Sequence, residues 1–252
     1  MTLLITGGAS GIGAATARLA ARRGHKIAIN YRSRDAQANK VVADIAAAGG
    51  QAVALPADVS READIVGLFD AAEKALGPIT HLVNSAGIGL NSRVADFDAA
   101  TLERLFTVNT VGLMLCCREA ARRMSIKRGG KGGVVVNVSS MAGTIGGRPG
   151  ASAYAASKAA VDSFTMGFAK DVALEGIRAV SLRPGMIETE MTEKTLSDRE
   201  TREAIESTIA MGRVGQPEEI ANAIVWLLSE EASFISGVTL DASGGGFVFG
   251  KR

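Results

Sequence analysis

Aromatic residues are scarce in this 252-residue chain, at 4% of positions, with one tryptophan and only two tyrosines. Each tyrosine therefore calls for a reason. There are two cysteines, Cys116 and Cys117, adjacent within a helical pattern; that arrangement suits buried thiols and excludes a disulfide framework or a cysteine metal site. The two histidines lie far apart in sequence, which leaves no candidate metal cluster. Excess charge is also missing: 28 Lys and Arg stand against 26 Asp and Glu, a net of +2. This balance gives no electrostatic footing for nucleic acid or an anionic membrane and favours small or neutral partners. No apolar run approaches the ~18 residues of a membrane span. The start of the chain lacks a basic region followed by an apolar stretch, so the expected location is cytoplasmic.

What the chain does have is a rhythm. Short apolar runs recur at 2–6, 26–30, 51–55, 80–84, 133–139, 177–182 and 237–241, and they read as strands buried on both faces. Helical spacing fills 11–23, 35–48, 61–76, 99–124, 153–175 and 217–229. Strand and helix alternate throughout, which predicts an α/β fold, a parallel sheet with helices on both faces. With 47% apolar residues and no linker or low-complexity segment, residues 1–252 read as one domain. The polar stretch 184–216 interrupts the alternation, and extra helices over a site are expected there, with 188–212 as a substrate-covering segment. The basic, glycine-rich "KRGGKGG" at 127–133 stands alone without interleaved aromatics and reads as a turn into the next strand.

The first run ends in "ITGGASGIGAATARLA", with Gly7, Gly11 and Gly13 at the turn from strand to helix. Glycine allows close approach of a pyrophosphate to the backbone, and the N-terminus of the next helix stabilises its charge. The interval is G-x-x-x-G-x-G rather than the common G-x-G-x-x-G. One of the two tyrosines sits in "ASAYAASKAAVDSF", where alanine favours helix. Tyr154 and Lys158, four residues apart, then share a helix face. A phenol beside an ammonium is a candidate proton donor, and a nearby serine could fix the orientation of the oxygen that takes the proton.

Five motifs in order, "TGGASGIG", "NSAG" at 84–87, "NVSS" at 137–140, "YAASK" at 154–158 and "RPG" at 183–185, resemble the short-chain dehydrogenase/reductase family over nearly the whole chain. Among its groups the glucose-dehydrogenase-like and 3-oxoacyl-acyl-carrier-protein-reductase-like proteins look most similar. The resemblance implies a doubly wound Rossmann domain of seven parallel strands, a nicotinamide cofactor, and a carbonyl or secondary alcohol as substrate. It makes Tyr154 the acid/base, with Lys158 holding ribose hydroxyls and lowering the tyrosine's pKa towards neutrality. Ser140 would orient the substrate oxygen, and Asn109 would hold a proton-relay water. The loop before Tyr154 is one residue longer than is frequent in the family, so Ser139 stands as an alternative to Ser140. Ser85 replaces the family's usual second asparagine.

The cofactor contacts implied by the resemblance are Gly7, Ser10, Gly11, Ile12 and Gly13 at the first turn, and Tyr31, Arg32 and Ser33 after the second strand. Further along they are Asp58 and Val59, then Asn84, Ala86 and Gly87, then Tyr154 and Lys158, and last Pro184, Gly185, Ile187 and Thr189. Asp58 could contact adenine or cap a helix. For Asn109 the minor alternative is a helix asparagine bonded to backbone. No carboxylate precedes Asp35 in "AINYRSRD", and an arginine welcomes a 2′-phosphate that a carboxylate repels. NADP(H) is therefore favoured over NAD(H), with NAD(H) used less efficiently. The resemblance also implies a homotetramer or homodimer, paired through the charge-poor faces near 113–121 and 155–169. Two other readings stand beside it: a catalytically silent cofactor-binding sensor or scaffold, and a nucleotide-sugar epimerase or dehydratase, for which a longer C-terminal region is expected.

Overall fold

The computed structural model describes residues 1–246, and its centre is one parallel sheet whose strands run in the spatial order β3-β2-β1-β4-β5-β6-β7. The strands are β1 Thr2–Thr6, β2 Lys26–Tyr31, β3 Ala52–Pro56, β4 Ile79–Asn84, β5 Gly133–Val138, β6 Ile177–Pro184 and β7 Thr239–Ala242. The winding direction reverses between β1 and β4, and in open α/β sheets the crevice beyond the carboxyl ends at that point receives ligands. Strand β1 is buried at every position, as its unbroken apolar run predicts. The edge strands β3 and β7 are only half-buried, because each has a neighbour on one side alone.

Two large apolar clusters fill the two faces. One packs β1, β2, β5 and β6 against α1 (Gly11–Arg22), α2 (Asp35–Ala47) and α10 (Pro217–Leu228). The other packs α3 (Glu62–Leu76), α5 (Leu113–Met124) and α7 (Ser152–Val172) on the opposite face. Cys116 and Cys117 lie in this second cluster as free, buried thiols, and burial raises both thiol pKa values, Cys117 to about 12. No helix among the described residues is long and apolar enough to cross a membrane.

Two departures from the sequence expectation bear on the site. The helix expected over 99–124 is broken into α4 (Ala99–Phe106), a π-helical turn Thr107–Gly112, and α5. A Cβ on Gly112 would lie 2.1 Å from the Val59 carbonyl oxygen, so only glycine lets the broken helix pass the loop after β3. A short helix α6 (Ala142–Ile145) precedes α7. The covering segment forms α8 (Glu190–Leu196) and α9 (Arg199–Glu206), which close over a small apolar cluster of Leu196, Ile205, Ile209 and Val214. A bidentate Arg202–Glu188 pair, at 2.9 and 3.2 Å, ties α9 to the chain leaving β6. The stretch 127–133 is a turn into β5, with Gly129, Gly132 and Gly133 at positive φ.

At the opposite end of the sheet the two histidines, distant in sequence, meet edge to face with ring centroids 5.1 Å apart. His81 is 4% exposed. Its Nε2–H donates to the Leu228 carbonyl at 3.2 Å, so Nδ1 accepts from the Thr80 hydroxyl at 2.8 Å. Burial first, then the positive groups around it (His25, the chain's α-amino group and Arg178), lower its pKa to about 4; burial lowers that of His25 as well. A folded-state pKa below the unfolded value of about 6.5 means that the unfolded chain binds more protons. Stability is then fully present above about pH 6.5 and is lost as pH falls towards 4, by roughly 3 kcal/mol for His81. Urea unfolding at pH 7 and pH 4.5 should show a larger acid loss in the wild type than in His81→Gln; equal losses would remove this assignment.

Candidate active site

The turn after β1 is shaped by its glycines. Gly7 has φ +67° and Gly11 φ +50°, values that side chains other than glycine rarely adopt. A Cβ on Gly13 would come within 2.3 Å of the Gly7 carbonyl oxygen, so this residue shapes the turn from beneath. Across the switch point, a Cβ on Gly7 would approach the Ala86 Cα to 2.8 Å. Thr6 Oγ1 accepts from the N–H groups of Ser85 and Ala86 at 3.2 Å each, joining the two strand ends. Asn30 does the same for β2 and β3: Nδ2 donates to the carbonyls of Tyr31, Leu55 and Ala57, and Oδ1 accepts from Gly7.

A cleft of about 490 Å³ opens above these ends. It is lined by Gly7, Ser10, Gly11 and Ile12, by Tyr31, Arg32 and Ser33, by Asp58 and Val59, and by Ala86 and Gly87. Ser140, Tyr154, Lys158, Pro184, Gly185, Ile187 and Thr189 complete the expected set that reaches it. Three expected residues do not. Gly13 lies under the turn. Asn84 is buried between strands, its Nδ2 donating to Asn137 Oδ1 at 2.9 Å and to Cys117 Sγ at 3.4 Å. Asn109, fully buried in the π-helical turn, is bonded to both the N–H and the carbonyl of Ile88, at 2.8 and 2.9 Å, and to Ser157 Oγ. Its side chain braces the loop after β4.

Strand β5 delivers the two serines and α7 delivers the tyrosine and lysine. Ser139 is turned inward, its hydroxyl donating to the Lys158 carbonyl at 3.0 Å. Ser140 faces the cleft: its Oγ accepts from the Ala142 N–H at 3.1 Å and bonds the Tyr154 phenol. Lys158 is 5% exposed. Its Nζ donates to the Val138 carbonyl at 2.9 Å and lies 5.9 Å from the centroid of the Tyr154 ring. Burial pulls the Lys158 pKa down to about 8, partly opposed by Asp162 one turn along. Asp162 is held by Ser181 and by Arg183, at 2.6 and 2.8 Å.

The Tyr154 phenol departs from expectation. Its pKa is raised, because burial outweighs the Ser140 hydrogen bond. Sharing a helix face set the spacing of the pair, but the ammonium is drawn to a strand carbonyl and does not neutralise the phenolate. Asp58 also differs from a simple helix cap. Its Oδ1 accepts from the N–H and hydroxyl of Ser60, and Oδ2 pairs with Arg104 at 3.1 Å, while α3 begins after Arg61. Sequence reasoning missed Arg34, Arg104 and Glu190, all of which line the cleft. Arg34 was visible two places beyond Arg32. The others carry no local signal, since distant elements bring them in.

The residues fit a dinucleotide. The first turn of α1 contains no acid, and its Ser10 side chain makes no capping bond, so the positive end of that helix is available to a pyrophosphate. A Cβ on Gly87 would meet Asn109 Oδ1 and Lys158 Nζ in ordinary contact, at 3.4 and 3.5 Å, which places this residue on the floor of the cleft beside the lysine.

Comparison with known proteins agrees. The family model described as Enoyl-(Acyl carrier protein) reductase matches residues 7–246. An uncharacterized oxidoreductase of Escherichia coli is 44% identical over 243 residues, covering 96% of this chain and 98% of that protein. The chain is a short-chain dehydrogenase/reductase. This dehydrogenase/reductase is 38% identical to 3β-hydroxysteroid dehydrogenase 1 of Eggerthella lenta, covering 99% and 97% of the two chains. A solved dehydrogenase/reductase from Sinorhizobium meliloti superposes with a TM-score of 0.90 at 34% identity, covering 97% and 94%. The protein is accordingly an NAD(P)-dependent oxidoreductase, and the expected fold, with its seven parallel strands, is the one found.

Proposed function

We propose that this dehydrogenase/reductase interconverts a carbonyl and a secondary alcohol, with Tyr154 as acid/base and NADP(H) preferred. The observation that carries the reading is the convergence of Ser140, Tyr154 and Lys158 on the cleft that the glycine turn opens. The bound nicotinamide supplies the hydride. Gly7, Ser10, Gly11 and Ile12 would hold its pyrophosphate, Lys158 the nicotinamide ribose, and Ile187 and Thr189 the carboxamide. Arg32 and Ser33 would hold a 2′-phosphate. Tyr154 keeps its proton at neutral pH, because burial raises its pKa, and donates it as negative charge grows on the substrate oxygen. Ser140 donates a second hydrogen bond that orients that oxygen. Asn109 acts by bracing Ile88, and so the wall of the cleft above Gly87.

The intact Ser140, Tyr154 and Lys158, with the serine beside the phenol and the lysine anchored to the end of β5, favour this reading over a silent sensor. Residues 188–212 cover the substrate side, and the whole chain works as one domain. Screening sugars, ketosteroids, β-ketoacyl thioesters and diketones with NADPH, following absorbance loss, tests the function, with Tyr154→Phe as the control enzyme. Turnover by that control equal to the wild type would overturn the assignment.

The helices of the second apolar face leave Val111 47% and Met166 42% exposed, apolar surface that a second copy of the chain would cover. We propose a homodimer or homotetramer. Sedimentation at micromolar concentration is expected to show at least twice the 26.0 kDa chain mass, and a single species at that mass would refute it.

A further inference from the structure

Three features isolate the cofactor-discriminating corner of the cleft. The side chain at the end of β2, Asn30, is fully engaged with backbone groups of Gly7, Tyr31, Leu55 and Ala57, so it cannot read a ribose. The next acid, Asp35 at the start of α2, is engaged by the Tyr31 hydroxyl, which donates to it at 3.0 Å. A carboxylate nevertheless lines the cleft. Glu190, the first residue of α8, forms an ion pair with Arg34, and both residues line the same cleft as Arg32. The approach is fixed by Thr189, whose Cγ2 lies 3.2 Å from where a Cβ on Gly11 would stand. Thr189 thus sets the start of α8, and with it Glu190, at the rim of the cleft beside the phosphate-binding turn.

We infer that Glu190, carried by the covering helix rather than by β2, is a specificity-determining residue that restrains the preference for NADP(H) by occupying Arg34 and opposing the 2′-phosphate. This rests on the proposed reading that Arg32 marks the 2′-phosphate corner. Arg32 makes no ion pair among the described residues, which leaves it to the phosphate. Arg34 is shared: a 2′-phosphate must draw it from Glu190 or share it. Both partners are about half-exposed, so the pair itself contributes little to stability. Exchange between carboxylate and phosphate is correspondingly inexpensive.

Calorimetric titration of NADP+ and NAD+ into wild type, Glu190→Gln and Arg34→Gln tests the inference. Removing one negative charge near a dianionic phosphate, at an effective dielectric between those of water and a protein surface, raises the NADP+/NAD+ affinity ratio about tenfold. Arg34→Gln leaves Glu190 unpaired and lowers the ratio by a similar factor. Both shifts shrink at 1 M salt, where the Debye length is about 3 Å. Thermal melts verify folding, and Glu190→Ser serves as a second variant. If Glu190→Gln strengthens both cofactors equally, its charge acts on the shared pyrophosphate and the inference fails. It also fails alone if the ratio stays within twofold of wild type while Arg32→Asp inverts it. An Arg32→Asp enzyme with an unchanged ratio would instead overturn the underlying placement of the 2′-phosphate.

Discussion

A Tyr154→Phe enzyme is expected to lose carbonyl reduction by about a thousandfold, within the usual range for removing a positioned general acid, while binding cofactor within about twofold of the wild type. The substitution keeps the ring, its packing and the Lys158 ammonium above it, and deletes only the oxygen that Ser140 bonds. The neighbouring donors cannot readily replace it. The Lys158 Nζ is directed to the Val138 carbonyl, and a hydroxyl such as that of Ser140 is a poor acid at neutral pH. Lys158→Met is expected to weaken cofactor binding as well as turnover, because it removes a buried cation from the cleft floor. Single-turnover kinetics and calorimetry on the three proteins separate the two effects. Substantial residual reduction by Tyr154→Phe would mean that the proton comes from elsewhere.

Arg32→Asp is expected to reverse the order of kcat/KM for the two cofactors, with the NADP(H)/NAD(H) ratio falling by about two orders of magnitude. A hydrogen bond from a guanidinium to phosphate contributes about 1.5–3 kcal/mol, and the new carboxylate adds repulsion to that loss. It also gives NAD(H) the ribose acceptor missing from "AINYRSRD". Steady-state kinetics at matched ionic strength measure the ratio, since screening compresses differences between exposed charges. A wild type that prefers NAD(H), or a substitution that changes both cofactors alike, would show that Arg32 does not face the 2′-phosphate.

The alternation of apolar runs with helical spacing was sufficient for a parallel sheet. Burial on both faces leaves little room for polar residues in a central strand, and that signature is local. The turn glycines and the spacing of Tyr154 and Lys158 are equally local, because one turn's sterics and one helix's pitch decide them. Choosing between Ser139 and Ser140 was not possible in this way. Adjacent serines at a strand end differ only in which face they meet, and here Ser139 is taken by the Lys158 carbonyl. The break of the expected 99–124 helix at Thr107–Gly112 likewise depends on contacts with Ile88, Ser157 and Val59, all remote in sequence.

The sequence by itself determined the order of elements, the glycine turn, most of the residues that meet at the carboxyl ends of the strands, and the missing carboxylate after β2. Only the tertiary structure decided their electrostatics. Burial depends on every element packed around a group, and it raised the phenol's pKa where the resemblance implied depression. Ion pairs form between whichever chains cross, so Arg34 met Glu190 from a helix far along the sequence, and Asp58 met Arg104 across the cleft. Periodicity is a property of one segment, whereas dielectric environment and charge neighbourhood belong to the assembled fold.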